Sequence, residues 1–421
     1  MHCYLLGDFR PFLYRTDDYG ATWTLLTDGT NGIPATTPTR VVREDPAREG
    51  LLYAGTEFGM YISFDNGKRW QPFQLNLPIV PITDLRVQYG DLQVSTQGRS
   101  FWILHNLSSL HQLTDKLIAE PAALLAPRPA VMQRYAGSFG GVEGSRFDPA
   151  DPQYPPNGAT IDYWLASAPS APITLDILDA SGKVIRSFSS AGEGERTTMQ
   201  PSMRQMVSER SGAPRLPAAA GVNRFTWDFT VAGPWDANPG RSGRNGPRVV
   251  PGRYAVRLTS GSWSATQPLE LRMDPRIARD GVTLADLREQ FQHNVKVRDM
   301  VTEVNQVAAQ IEEGRKRLAS AASAADTLKA LEALRAKVIQ PSVRYSKPEL
   351  QAHIQYLYSM TMQADQKIGR DAITRYGVLR KELDERIAEL RKVLGPPAVS
   401  DDDDAAADGA ASPSGGAGQG R

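Results

Sequence analysis

Apolar positions in the early part of the chain come as short clusters broken by Gly, Asn and Asp turns. Leu51-Leu52-Tyr53-Ala54-Gly55, Gly59-Met60-Tyr61-Ile62-Ser63 and Leu92-Gln93-Val94-Ser95-Thr96 are examples. Strands this short and evenly spaced predict an all-β sandwich, barrel or propeller over residues 1–117. Period-two alternation returns between residues 158 and 275. Ile173 to Leu178 alternates, Asp179-Ala180-Ser181-Gly182-Lys183 reads as a turn, and Val184 to Phe188 completes a hairpin. Val222 to Phe229 and Tyr254 to Leu258 alternate again, the latter after a Pro251-Gly252 turn. From about residue 281 the period becomes helical.

The resulting expectation is a multidomain, mainly β chain. A partial β-propeller (1–117) precedes a connector rich in Pro, Ala and Gly (118–157). An immunoglobulin- or fibronectin-like β-sandwich (158–275) follows, interrupted by long loops over roughly 190–216 and 231–249, expected to be mobile. An α-helical hairpin or small bundle (276–397) comes next. Thr283 and Asp286 make a capping-box pattern before the first long helix. The stripe Tyr376, Leu379, Leu383, Ile387, Leu390 and Leu394 marks the last one. It fits a seam packed on the first long helix better than a coiled-coil partner face. Residues 398–421, with Asp401–Asp404 and then Ala, Gly, Ser and Pro, read as a disordered tail.

One motif repeats. Thr16-Asp17-Asp18-Tyr19-Gly20-Ala21-Thr22-Trp23 and Ser63-Phe64-Asp65-Asn66-Gly67-Lys68-Arg69-Trp70 both read [ST]-x-D-x-G-x-x-W. The interval from Thr16 to Ser63 matches one four-stranded propeller blade. The Asp carboxylate can accept N–H groups across a tight turn, Gly supplies a positive φ, and Trp buries a large area in the blade. This pattern resembles the Asp-box, or BNR repeat, of sialidases, sortilins and related propellers. With Val41 to Pro46, Leu52 to Glu57 and Gly98 to Leu104, the chain is similar to the last blades of a bacterial group commonly labelled glycosyl hydrolase or sortilin-like. The resemblance implies a propeller followed by a sandwich and helices. It places the boxes on the blade periphery, so Thr16, Asp18, Gly20, Trp23, Ser63, Asp65, Gly67 and Trp70 are structural.

Residues 1–117 make roughly two and a half blades, where closed propellers use four to eight. The expectation is the C-terminal part of a longer exported protein, with strand edges and an apolar flank exposed.

Composition narrows the function. Lys and Arg number 48 against 47 Asp and Glu, so no global charge favours nucleic acid or an anionic membrane. The single cysteine, Cys3, excludes an intrachain disulfide framework. No run of about 18 apolar residues predicts a membrane span. The five histidines, among them His105 and His111, show no metal spacing. No G-x-S-x-G or P-loop is present, and no cofactor is expected. Gly137-Ser138-Phe139-Gly140-Gly141 reads as a loop rather than a phosphate cradle. Met199, Met203 and Met206 read as one face of a short helix before they read as copper ligands. Asn106-Leu107-Ser108 is a formal glycosylation sequon.

Glycosidase chemistry needs paired carboxyls, or a Tyr/Glu pair with an arginine cluster. Asp45, Glu57, Arg43 and Arg99 are the candidates. Asp45-Pro46 reads as a turn; Glu57 and Arg99 remain as candidate ligand-facing residues, and no catalytic residue is assigned. The functional expectation is a non-catalytic or catalytically incomplete chain binding protein, peptide or glycan, or pairing with absent blades. Its parent would act outside the cell or in the periplasm. The alternative is a sialidase-like glycoside hydrolase whose catalytic residues lie mainly in blades outside this chain.

Overall fold

The structure, a computed structural model, describes residues 7–134, 157–191, 215–238, 240–319, 324–341 and 343–395. The stretches around Gly137–Gly141, Met199–Met206 and Asp401–Asp404 lie outside them, as does Cys3. The chain is mainly β and antiparallel, followed by helices. It divides into two compact units, residues 1–231 with 248–281, and 232–247 with 282–421.

The first unit opens with the antiparallel pair β1 (Tyr14–Arg15) and β2 (Thr24–Leu25). A four-stranded antiparallel sheet follows in sequence order: β3 (Thr39–Glu44), β4 (Leu52–Thr56), β5 (Gly59–Ser63) and β6 (Gln71–Pro72). A three-stranded sheet repeats its beginning: β7 (Ile82–Gln88), β8 (Asp91–Thr96) and β9 (Phe101–Leu104). Between these sheets Val41, Tyr53, Met60 and Ile62 meet Leu85, Leu92 and Val94 in one buried core. Leu13, Ile33, Leu52, Ala54 and Trp70 form another on the far face of β4. Gly32 admits Trp70 there, because a Cβ at Gly32 would stand 1.9 Å from the Trp70 carbonyl oxygen.

Helices α1 (Ser108–Gln112) and α2 (Asp115–Ile118) lead into a pair of sheets. The first orders β10 (Ala122–Leu124), β12 (Ala159–Leu165) and β15 (Gly221–Trp227). The second orders β11 (Ala130–Val131), β17 (Trp263–Arg272), β16 (Gly252–Ser260), β13 (Ile173–Leu178) and β14 (Val184–Ser189). Phe188 meets Phe225 at a tilt, and Trp227 meets Tyr254 edge-to-face, across the two sheets. The expected hairpin at 173–188 is present, closed by Asp179, whose carboxylate accepts the Ser181 and Lys183 N–H groups. The stretch read as a connector differs from expectation. Ala122–Leu124 pairs with β12 and Ala130–Val131 pairs in parallel with β17. Strands of two or three residues between prolines are too short to show a period.

The second unit holds α4 (Leu284–Leu318), α5 (Ala325–Val338), α6 (Leu350–Thr361) and α7 (Arg370–Leu394), after the short α3 (Pro275–Arg279) that closes the first unit. The Thr283–Asp286 capping box forms in both directions, at 3.1 Å and 2.9 Å. Val297, Val304, Ile311, Leu331, Ile354, Leu379 and Leu383 share one core, so the helices are a small bundle. Each such side chain contributes roughly 1.5–3 kcal/mol by leaving water.

Within the segment 231–249, expected as a mobile loop, the arm 232–247 is instead anchored on this bundle. Gly233 and Gly243 close an arm at 2.9 Å, and a Cβ on Gly233 would collide with the Arg244 carbonyl. Thr302 Oγ1 accepts the Trp235 N–H, Asn305 Nδ2 donates to the Trp235 carbonyl, and the Tyr358 hydroxyl donates to the Asn245 carbonyl. Main-chain groups make these contacts, which a polar, Gly-rich sequence does not advertise. No helix among the described residues is long and apolar enough to cross a membrane.

Candidate functional site

The two repeated turns are superimposable in their hydrogen bonds. Thr16 Oγ1 accepts the Gly20 N–H at 2.7 Å and donates to Asp18 Oδ1 at 2.8 Å. Asp18 Oδ1 accepts the Thr22 N–H at 2.8 Å. In the second turn Ser63 Oγ accepts the Gly67 N–H and donates to Asp65, both at 2.9 Å. Asp65 Oδ1 accepts the Arg69 N–H at 2.9 Å. Tyr19-Gly20 and Asn66-Gly67 all have positive φ. The Thr22 and Thr16 hydroxyls and the Thr22 N–H hold the Asp18 carboxyl down at about 2. Both carboxylates are spent on their own turns. Trp70 is buried and donates to the Leu26 carbonyl, as expected of an inserted ring. Trp23 differs: it is 47% exposed, since the β1–β2 pair is too small to cover it.

The carboxylate and arginine candidates are dispersed. Glu57 pairs with Arg40 at 2.7 Å, and Arg43 pairs with Asp84 at 2.6 Å. Asp45 makes the expected turn, its N–H donating to Leu51, but it is also buried. Its carboxylate accepts from the Tyr53 hydroxyl and His111 Nε2, both at 2.9 Å, and from the Ala47 N–H at 2.8 Å. Arg99 stands in the exposed turn between β8 and β9, where its carbonyl accepts from Trp102 Nε1.

Sequence reasoning missed two features. The first is a polar hub. Asp91 accepts from the Asn106 N–H at 2.9 Å and from Arg128 at 3.1 Å, with His105 Nδ1 at 3.3 Å. Arg224 forks onto Asp162 at 2.8 and 2.9 Å and also donates to the carbonyls of His105 and Asn106. Asn106 sits at φ 63, buried, with its own Oδ1 accepting the Ser108 N–H. The side-chain oxygen of the sequon asparagine is thus engaged in its own turn. A half-open cavity of about 300 Å³ adjoins the hub, lined by Asp91, His105, Arg128, Gln133 and Thr160. These residues are scattered through the sequence, so only the fold reveals them. Among the described residues no group of three His, Cys, Asp or Glu side chains is placed to hold a metal ion.

The second feature is β9. It is the outer strand of its sheet, and Phe101 and Ile103 are 82% and 62% exposed. Beneath it Met60, Phe73, Leu92, Val94 and Trp102 line an apolar cleft of about 60 Å³. Its signal in the sequence is the run Phe101-Trp102-Ile103-Leu104, apolar on both faces where a solvated edge strand would alternate.

No protein-family model matches the chain, and no curated protein does. Among solved structures it is similar to the extracellular domain of BT4673 from B. thetaiotaomicron, assigned to a hybrid two-component system, at 9% identity and a TM-score of 0.19. That likeness covers 62% of this chain and 29% of the other. A second structure of the BT4673 extracellular domain, assigned to a one-component system, matches at 8% identity and a TM-score of 0.18, over 63% and 34%. The chain thus spans about a third of the structures it matches, and overlap this slight carries no argument about fold or function.

Proposed function

We propose that this chain is a binding module of an exported protein, built from an Asp-box propeller arc, an immunoglobulin-like sandwich and a helical bundle, and that it engages another protein. The exposed pair Phe101 and Ile103 carries the reading. Large apolar side chains on an outer strand cost solubility unless something covers them. The two like-folded Asp-box turns and the repeated sheets support the propeller part. The consumption of Asp18, Asp65, Glu57 and Asp45 by local partners supports binding over hydrolysis. The second reading, a glycoside hydrolase completed by other blades, draws support from the Asp-box resemblance alone.

The test is a pair of assays on the full chain. Incubation with a panel of fluorogenic glycosides is expected to give no turnover. Cross-linking in the native exported fraction is expected to give a defined partner that a Phe101→Ser, Ile103→Ser double variant loses at unchanged melting temperature. Reproducible turnover would overturn the reading in favour of the hydrolase.

A further inference from the structure

We propose that residues 362–376 are an acid-released strap. When His293 takes a proton, this stretch, the α6–α7 connection with the first turns of α7, peels from α4 at Gly377. The device lies within the helical unit and does not depend on the binding-module reading.

Gln290, His293 and Asn294 lie on one face of α4, and all three are buried. Two of them hold the strap. Gln290 Nε2 donates to the Thr361 carbonyl at 3.0 Å and to the Ala364 carbonyl at 2.7 Å. Gln290 Oε1 accepts the Gln366 N–H at 3.2 Å, and Asn294 Nδ2 donates to the Thr361 carbonyl at 3.2 Å. His293 belongs to the same turn. Its Nε2 has no hydrogen-bond partner among the described residues, and its ring stands edge-on to Tyr376. Asn294 Oδ1 is unpartnered too, but adjacent residues of a helix do not face each other. A second ring proton makes both nitrogens donors and the ring a cation. The acceptors of this turn are already committed to Gln290, Asn294 and Gln366. The cation therefore needs water, and reaching water means moving what covers the ring.

What covers the ring is weakly held. Of residues 362–378 only Ile368 is buried. Helix α7 begins after Gly369, which gives it no side-chain cap. Gly377 then interrupts it with a poor helix former. A Cβ there would meet open space, so packing does not demand the glycine. Beyond it Leu379, Leu383 and Leu390 are buried and anchor the rest of α7. Peeling as far as Gly377 exposes little apolar surface, and α4 keeps its own backbone bonds. Burial and then Lys296 oppose the charged ring, while Glu289 favours it less strongly. The strap adds Asp365 and Lys367, and the start of α7 adds Arg370, Asp371 and Arg375. Helix α6 carries no acidic or basic residue but His353, about two turns from Thr361.

The test is amide exchange on the full chain at pH 7 and pH 5, corrected for intrinsic rates, with and without low urea. The Gln366 amide is expected to open independently of urea, and about tenfold or more often than the Leu383 amide. Its protection is expected to fall between pH 7 and pH 5 by up to about 25-fold. That is the linkage limit for a ring that titrates at 6.5 once released and stays neutral while held. His293→Leu should abolish the fall. Gly377→Ala, which stiffens the hinge without a clash, should raise Gln366 protection about threefold or more at both pH values. Equal protection at the two pH values overturns the proposal, and so does a fall that persists in His293→Leu. Gln366 protection that tracks Leu383 through urea also overturns it, because the strap would then open only with the whole bundle. Unchanged protection in Gly377→Ala would remove the hinge, and with it the device.

Discussion

His111 Nε2 lies 2.9 Å from Asp45 Oδ2, and the Asp45 carboxylate is wholly withdrawn from solvent. This contact ties helix α1 to the β3–β4 turn. The same carboxylate also takes the Tyr53 hydroxyl, and the Arg48 guanidinium meets the Leu110 carbonyl beside it. Removing the acceptor leaves buried donors without partners, each at a cost of about 1–3 kcal/mol. Asp45→Ala is expected to lower stability by about 3 kcal/mol or more, and His111→Ala by about 1–2. A double-mutant cycle by urea unfolding should return a coupling above about 0.5 kcal/mol. Strict additivity would show that the contact holds nothing.

The Asp18 turn should fail in acid. Its folded carboxyl sits at about 2, below the ordinary 3.8, because the Thr22 hydroxyl and N–H and the Thr16 hydroxyl favour the charged form. A lowered value means that its stabilising contribution is complete above the unfolded value. It is then lost as pH falls from 3.8 through about 2. The Thr22 amide resonance is expected to move over that interval, and to stay still in Asp18→Asn.

Arg224 should be the costliest arginine to remove. Asp162 is buried, and without the guanidinium fork it keeps an uncompensated charge. Arg224→Ala is expected to destabilise the first unit by about 3–5 kcal/mol. Asp162→Asn together with Arg224→Met should recover much of that loss in thermal unfolding.

The helical bundle should weaken in mild acid. His293 is buried, its Nε2 lacks a hydrogen-bond partner, and its ring stands edge-on to Tyr376. Burial, with Lys296 nearby, lowers its affinity for a proton below the ordinary value of 6.5. The unfolded chain then binds the proton first, so stability falls as pH drops below 6.5. Urea unfolding of the bundle at pH 7 and pH 5 is expected to differ, and His293→Leu to narrow the difference.

The helices were legible in the sequence because their signals are local. Thr283 and Asp286 cap each other within one turn, and the Leu379–Leu390 stripe repeats along one face. The Asp-box turns were legible for the same reason, since every bond of Asp18 and Asp65 reaches a residue within four positions. What escaped depends on long separations. Arg224 reaches back to His105, and Tyr358 reaches back to Asn245. β10 and β11 escaped because neighbours, not periodicity, make them strands. The β9 edge was half visible: the sequence shows an apolar run, but only pairing order shows that no strand among the described residues lies beyond it.

The arm at 232–247 has a consequence for how the protein is made. It leaves the ribosome before Thr302 and Asn305, and well before Tyr358, the side chains that hold its main chain. Until those helices emerge, the Trp235 N–H and carbonyl and the Asn245 carbonyl have only water to bond. The β strands on either side can pair meanwhile, since Thr230 and Arg248 bridge at its neck. Synthesis thus builds the receiver after the segment it receives, and the helical unit cannot be exchanged between genes as one continuous cassette.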